Sequence, residues 1–156
     1  MDVNIRLRAS IDTEAYLEGV RSLLPLADIV KASDEDLEPL QISEDPHEAA
    51  ASLYSEMGAG IFLLTEGQKG ASVFTQNTVI DQAAYSIANV ADSVGAGDTF
   101  HGAFVAGLSK GYHLRQALQF ASAVAALKCT KLGGQAGIPT FQETQRFLAH
   151  HGFAGF

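Results

Sequence analysis

Apolar positions change their spacing along the chain, and each change marks an element. Val3-Asn4-Ile5 reads as a short strand at the start. Asp12 is a suitable N-cap for a helix that carries Tyr16, Leu17, Val20, Leu23 and Leu24 on one face. Asp28-Ile29-Val30-Lys31 reads as a short buried strand. Asp45-Pro46 places an N-cap before a proline at the first helical position. The helix it opens runs through Ala49, Ala50, Leu53 and Tyr54, and Gly58 can close it. Ile61 to Thr65 is a continuous apolar run, the pattern of a strand buried on both faces.

The second half of the chain repeats the alternation. Gly67 to Gly70 is a turn, Ala71 to Thr75 the returning strand, and Tyr85 to Val90 a weaker strand. A glycine-rich loop from Asp92 to Asp98 leads into a helix with Phe100, Phe104 and Leu108 at spacings of four. A further helix, roughly Arg115 to Leu127, is small and apolar nearly all round and is expected to be buried. Gly133-Gly134 forms a loop, and Thr140 with Glu143 makes a capping box for the last helix. Strands alternating with helices predict an α/β layered fold with a mainly parallel sheet, organised as one domain over residues 1–156.

Composition narrows the function. Of 156 residues, 47% are hydrophobic and 18% charged, which is the balance of a chain that folds around a core. The net charge of −8 disfavours nucleic acid and anionic membrane as partners, because an acidic surface repels both. It does not disfavour ATP, since a helix N-terminus and a cation can hold phosphates within an acidic protein. No apolar stretch reaches the roughly 20 residues of a membrane span and no secretory leader is visible, so the expected compartment is the cytoplasm. The single cysteine, Cys129, cannot form an intrachain disulfide and reads as a small apolar residue. The five histidines form no ligand pattern; His101 reads as packing or surface.

Asp92-Ser93-Val94-Gly95-Ala96-Gly97-Asp98 is the most informative segment. Gly95, Ala96 and Gly97 carry almost no side chain, so an anion can approach their N–H groups at the positive end of the following helix. Asp98 is placed to accept a proton from an attacking hydroxyl, and phosphoryl transfer needs mainly positioning, a base and charge stabilisation. The competing reading is a tight strand-to-helix connection with Asp98 as N-cap. A dinucleotide fingerprint would need glycine where Phe100 stands, and a Walker-A loop would need a Gly-Lys-Ser/Thr ending that is absent.

The segment Asp92 to Asp98 resembles the Asp-Thr-x-Gly-Ala-Gly-Asp signature of ribokinase-like (PfkB) carbohydrate kinases, with Ser93 in place of threonine. Four other segments resemble that family in the same order: Asp2 to Arg6, Lys31 to Asp36, Thr65 to Gly70, and Gly133 to Pro139. The resemblance implies the C-terminal part of a three-layer α/β/α fold, closest to fructokinase and keto-sugar-acid kinases. It implies ATP and Mg2+, with K+ as a further candidate, and a sugar substrate.

Residue by residue, it makes Asp98 the catalytic base and a substrate contact. Gly95, Ala96 and Gly97 become the anion hole, and Thr65, Gly67 and Gly70 the nucleotide segment. Lys31 could reach a phosphate or be a surface lysine. Arg6 could grip the substrate or end a strand in a salt bridge. Asp36, with Ser33, could organise Mg2+ or cap a short helix in an acidic turn. Asp92 and the loop Gly133–Gly137 resemble a monovalent-cation site. Members of that family are about twice as long, so the resemblance also implies that the sugar-binding N-terminal half and its β lid are absent. The isolated chain is then expected to lack turnover, and its sheet to expose an edge through which copies could associate.

Overall fold

The computed structural model describes residues 1–5 and 12–153. The expected helix caps are formed. Asp12 accepts from the N–H of Ala15 to start α1 (Thr13–Leu23), and Asp45 accepts from His47 to start α3 (Pro46–Met57). Gly58, at φ 75°, ends α3 in a conformation that a Cβ would disfavour. Between them lie β1 (Ile29–Ser33) and a single-turn helix, α2 (Asp34–Leu37). β2 (Ile61–Thr65), β3 (Gly70–Phe74) and β4 (Val79–Ala83) follow, then α4 (Ala96–Ser109), α5 (Leu114–Lys128) and α6 (Phe141–His150).

The four strands form one sheet in the order β1-β2-β3-β4. β1 and β2 run parallel, with Val30 opposite Phe62 and Ala32 opposite Leu64. β3 returns antiparallel to β2, with Leu63 opposite Val73. The sheet is therefore mixed, the antiparallel part coming from the return after the Gly67 turn. The N-terminal segment joins beside β1: Val3 N–H donates to Lys31 O, and Lys31 N–H donates to Met1 O. It forms a single parallel bridge, Asp2 with Lys31, rather than the expected strand. Asn4 sits at φ 44°, where an extended ladder cannot continue.

Two compact units make up the chain: Met1–Gly67 with Ala71–Asp81, and Gln68–Gly70 with the chain from Gln82 onward. The first has a core of Val3, Ile5, Leu24, Val30, Ala32, Leu53, Phe62, Leu64 and Phe74 around which α1 to α3 pack. In the second, α4 and α5 approach closely because their contact is small. A Cβ on Gly107 would lie 3.3 Å from the Cα of Ala117. Phe104, Ala117, Leu118, Ala121 and Ala123 are fully or almost fully buried there, as the apolar composition of α5 predicts. α6 adds Leu148 and sets Phe141 against Phe120, with ring centroids 5.5 Å apart.

One predicted strand is displaced. Residues 85–90 are not extended in a ladder, and the strand lies earlier, at Val79–Ala83. A Thr75–Thr78 turn closes the hairpin, with Thr75 N–H donating to Thr78 O. β4 alternates exposed and half-buried residues and carries Asp81 and Gln82, so its apolar signal is weak. Tyr85 instead serves as an anchor, its ring packing edge-on to Phe147, His151 and Phe153.

Candidate active site

The turn before α4 is built by main-chain geometry. Gly95 is the N-cap residue, in the left-handed region at φ 77°, so α4 begins at Ala96 and Asp98 is its third residue. Asp98 is therefore not the N-cap, as the connection-only reading of the sequence would have it. Ala96 N–H already donates to Ser93 O at 3.0 Å, which closes the turn. The N–H groups of Gly95, Gly97 and Asp98 have no acceptor among the described residues, so these three, rather than Gly95 to Gly97, are the open donors at the helix's positive end. Thr99 Oγ1 donates to Gly95 O at 2.6 Å and holds the turn from behind. The Asp98 side chain is exposed and has no hydrogen-bond partner among the described residues.

Asp92 fixes the entry to this turn. Its Oδ1 accepts from Val94 N–H and its Oδ2 from Gly133 N–H, both at 2.9 Å. These two main-chain donors, with Lys128 as a smaller contribution, hold the Asp92 carboxyl below the usual carboxylate range. Gly134 is brought against Gly95, whose Cβ, if it had one, would lie 3.1 Å from Gly134 O. The structure thus brings together Asp92, Gly95 to Asp98 and the Gly133-Gly134 loop within the second unit.

Lys128 was not singled out in the sequence. It ends the mostly buried helix α5, its side chain is 0% exposed, and its Nζ donates to Asp92 O at 2.8 Å. A charge on a helix predicted to be buried was the available signal. Cys129, which follows it, is half-buried, and burial pushes its thiol pKa up while Lys128 pulls it down.

The remaining candidates lie mostly in the first unit. Thr65 ends β2; Gly67, at φ 54°, opens a short turn of 3-10 helix. Glu66 between them is held by His47, whose Nε2 lies 3.0 Å from Glu66 Oε2, a contact the sequence did not reveal. Gly70, of the second unit, approaches β4 so closely that a Cβ would lie 2.1 Å from Gln82 O.

Lys31 is neither a surface lysine nor a projecting one. It is 6% exposed and paired with Asp2 at 3.3 Å. Ser33 and Asp36 form a capping box at the start of α2. Asp36 Oδ2 accepts from Ser33 N–H and Oγ, and Oδ1 from Ile5 N–H at 2.9 Å, with the residue 4% exposed. Its carboxylate is thus engaged in holding the N-terminal segment and α2, the helix-cap alternative for this pair. Among the described residues no group of three His, Cys, Asp or Glu side chains could hold a metal ion. Arg6 lies outside the described residues. No described helix is long and apolar enough to cross a membrane.

Open main-chain donors at a loop-to-helix turn, with an exposed carboxylate beside them, are suited to meeting an anion, and they sit on an α/β fold. The comparisons give the class a family. The chain belongs to the pfkB family of carbohydrate kinases, whose model matches residues 1–141.

It is 30% identical over 156 residues to fructokinase-2 of Oryza sativa subsp. japonica, covering 95% of this chain and 46% of the relative. Its fold is similar to that of a candidate ribokinase II from E. coli solved with ATP and Mg2+. That likeness has a TM-score of 0.84 and 30% identity over 96% of this chain and 48% of the other. Its fold is also similar to that of a double mutant of Vibrio cholerae fructokinase solved with fructose, ADP and a potassium ion. There the TM-score is 0.84 and the identity 26%, over 94% of this chain and 49% of the other. The fold is thus ribokinase-like α/β, and the chain spans about half the length of the relatives it matches.

Proposed function

We propose that this chain carries the nucleotide-binding and proton-accepting part of an ATP-dependent sugar kinase. The observation that carries the reading is the Gly95–Asp98 turn: three N–H groups with no acceptor among the described residues, beside an exposed carboxylate that has no hydrogen-bond partner among them. In this reading Asp98 accepts the proton of a sugar hydroxyl as its oxygen bonds to the γ-phosphorus and the bond from that phosphorus to the ADP oxygen breaks. The N–H groups of Gly95, Gly97 and Asp98 meet the negative charge on the transferring group. Thr65, Gly67 and Gly70 shape the nucleotide segment. The relatives named for fructose favour a keto sugar as acceptor, and Arg6 is proposed as its contact on sequence alone.

The residues present fit a phosphate better than a bare metal ion. Direct ligation of Mg2+ by Asp36 does not fit, because both its oxygens accept hydrogen bonds inside the fold. Magnesium, when bound with ATP, supplies charge neutralisation of the phosphates. A second reading, binding of nucleotide without transfer, is favoured by the chain's spanning about half the length of its relatives.

The test is calorimetric titration of the chain with ATP and Mg2+, followed by an ADP-release assay over fructose, ribose and keto-sugar acids. Under the first reading the chain binds ATP and the whole enzyme it forms part of turns over, while Asp98→Asn in that enzyme binds ATP normally but transfers no phosphate. Binding without turnover on any sugar selects the second reading, and no binding defeats both.

A further inference from the structure

Burying an ammonium is costly unless partners replace its water, and Lys128 is buried completely. Its partners are few and specific. Nζ donates to the main-chain carbonyl of Asp92 at 2.8 Å and lies 3.9 Å from Asp92 Oδ2. It also stands at the last residue of α5, where the carbonyl pole of the helix favours a positive charge. Nothing in the transfer reaction as proposed above uses this charge.

Its place in the hydrogen-bond network gives it a role. The Ala91 and Asp92 N–H groups donate to Cys129 O at the end of α5. Lys128 holds Asp92 O, and the two Asp92 carboxylate oxygens hold Val94 and Gly133. Every polar atom of Asp92 is thereby committed. Val94 directly precedes Gly95, and Gly134, directly after Gly133, presses on Gly95 with its carbonyl. A carbonyl and a carboxylate oxygen converging from one residue are the kind of oxygens that bind a small cation. In this chain a covalently attached ammonium meets them.

We propose that Lys128 is a built-in cation: a positioning residue that fixes the Asp92 clamp, and through it the Gly95 turn, so that this site needs no added monovalent ion. The role in nucleotide binding rests on the reading of the turn given above; the clamp itself does not. Lys128→Met keeps most of the apolar stem, ends one atom short of the ammonium and removes the charge. A packing role would survive that change, whereas a charge role would not.

The experiment uses the whole chain, wild type and Lys128→Met, in choline chloride and in potassium chloride at equal ionic strength. Amide hydrogen exchange is read at Val94 and Gly133 without nucleotide, and ADP affinity by calorimetry. Wild type is expected to give the same exchange and affinity in both salts. Lys128→Met in choline should lose protection at both amides and bind ADP roughly tenfold more weakly, the scale of one charge-assisted hydrogen bond. Potassium should restore both.

Wild-type exchange that changes with potassium would overturn the proposal. So would a Lys128→Met protein that keeps the clamp in choline, or one whose defect potassium does not move. Should Lys128→Met fail to fold, Lys128→Arg, which keeps the charge, is expected to fold with both amides protected in choline, and loss of their protection there would count against the idea. If no form binds ADP, the reading of the turn fails while the exchange data still decide on the clamp.

Discussion

Gly95 and Gly134 touch through their backbones: a Cβ on Gly95 would stand 3.1 Å from the carbonyl oxygen of Gly134. Gly95 is also held at φ 77°. Two independent constraints, conformation and clearance, thus fall on the residue that starts α4.

Gly95→Ala is therefore expected to lower stability by roughly 1–2 kcal/mol from the left-handed backbone alone, with any displacement of the Gly134 loop adding to that. Urea unfolding of the two proteins measures it. Nucleotide affinity should fall as well, since the open N–H groups of Gly95, Gly97 and Asp98 are aimed by this residue. An alanine variant as stable as wild type would mean that the turn relaxes freely and is not a fixed donor array.

How far the sequence could be read follows from where the determining interactions lie. Local signals were legible: Asp12, Asp45 and Thr140 cap their helices within a few residues of themselves, and each does so in the structure. That residues 95–98 form a tight turn into a helix was legible from their small side chains, which permit the left-handed Gly95. What was not legible depends on distant partners. Asp36 receives Ile5 N–H from thirty-one positions away, and Lys128 reaches Asp92 from thirty-six. Neither distance is visible in spacing or periodicity. Strand β4 was missed because its half-buried alternation includes Asp81, whose carboxylate accepts from Ser72 Oγ at 2.7 Å across the hairpin. A polar residue satisfied by its neighbour looks like a loop residue in the sequence.

Asp36 yields a prediction that separates its two readings. Replacing it by alanine removes the acceptor of the Ile5 N–H and the Asp36 half of the α2 capping box, which takes the Ser33 N–H, at a cost of about 2–4 kcal/mol. Asp36→Asn, which keeps one acceptor oxygen, should cost less. Thermal unfolding with and without Mg2+ provides the check. The wild-type and Asp36→Ala proteins should respond equally to Mg2+ in the absence of nucleotide. A magnesium stabilisation present in the wild type and missing from the variant would restore the ligand role.

Gly70 is bound more tightly than Gly95. At φ 123° and 2.1 Å from Gln82 O, an added Cβ cannot be accommodated without moving β3 or β4. Gly70→Ala is expected to cost at least about 2 kcal/mol through strain and overpacking together. By contrast Gly67→Ala meets no atom within 4 Å and faces only its φ of 54°, so it should cost about 1 kcal/mol. Chemical denaturation of the pair gives the order directly, and a reversed order would contradict the packing described for this hairpin.

Tyr85 carries a pH prediction. Its hydroxyl is buried and has no hydrogen-bond partner among the described residues, and burial pushes its pKa up to about 12 from the ordinary 10.0. The folded protein therefore keeps the phenol protonated where the unfolded chain has begun to ionise. The contribution to stability is complete below the unfolded pKa and is lost as pH rises through the folded one, a window from about pH 10 to 12. Tyr85→Phe retains the ring that packs on Phe147 and His151 and removes both the ionisation and the stranded hydroxyl. At pH 7 it should be as stable as wild type or more so, by up to about 1 kcal/mol. Because Tyr112 is also shifted upward by burial, the informative quantity is the difference between the two proteins. Urea unfolding at pH 7 and pH 11 should show that difference growing in favour of Tyr85→Phe. A variant that loses stability in alkali as steeply as wild type would mean that the Tyr85 hydroxyl reaches water in the folded state.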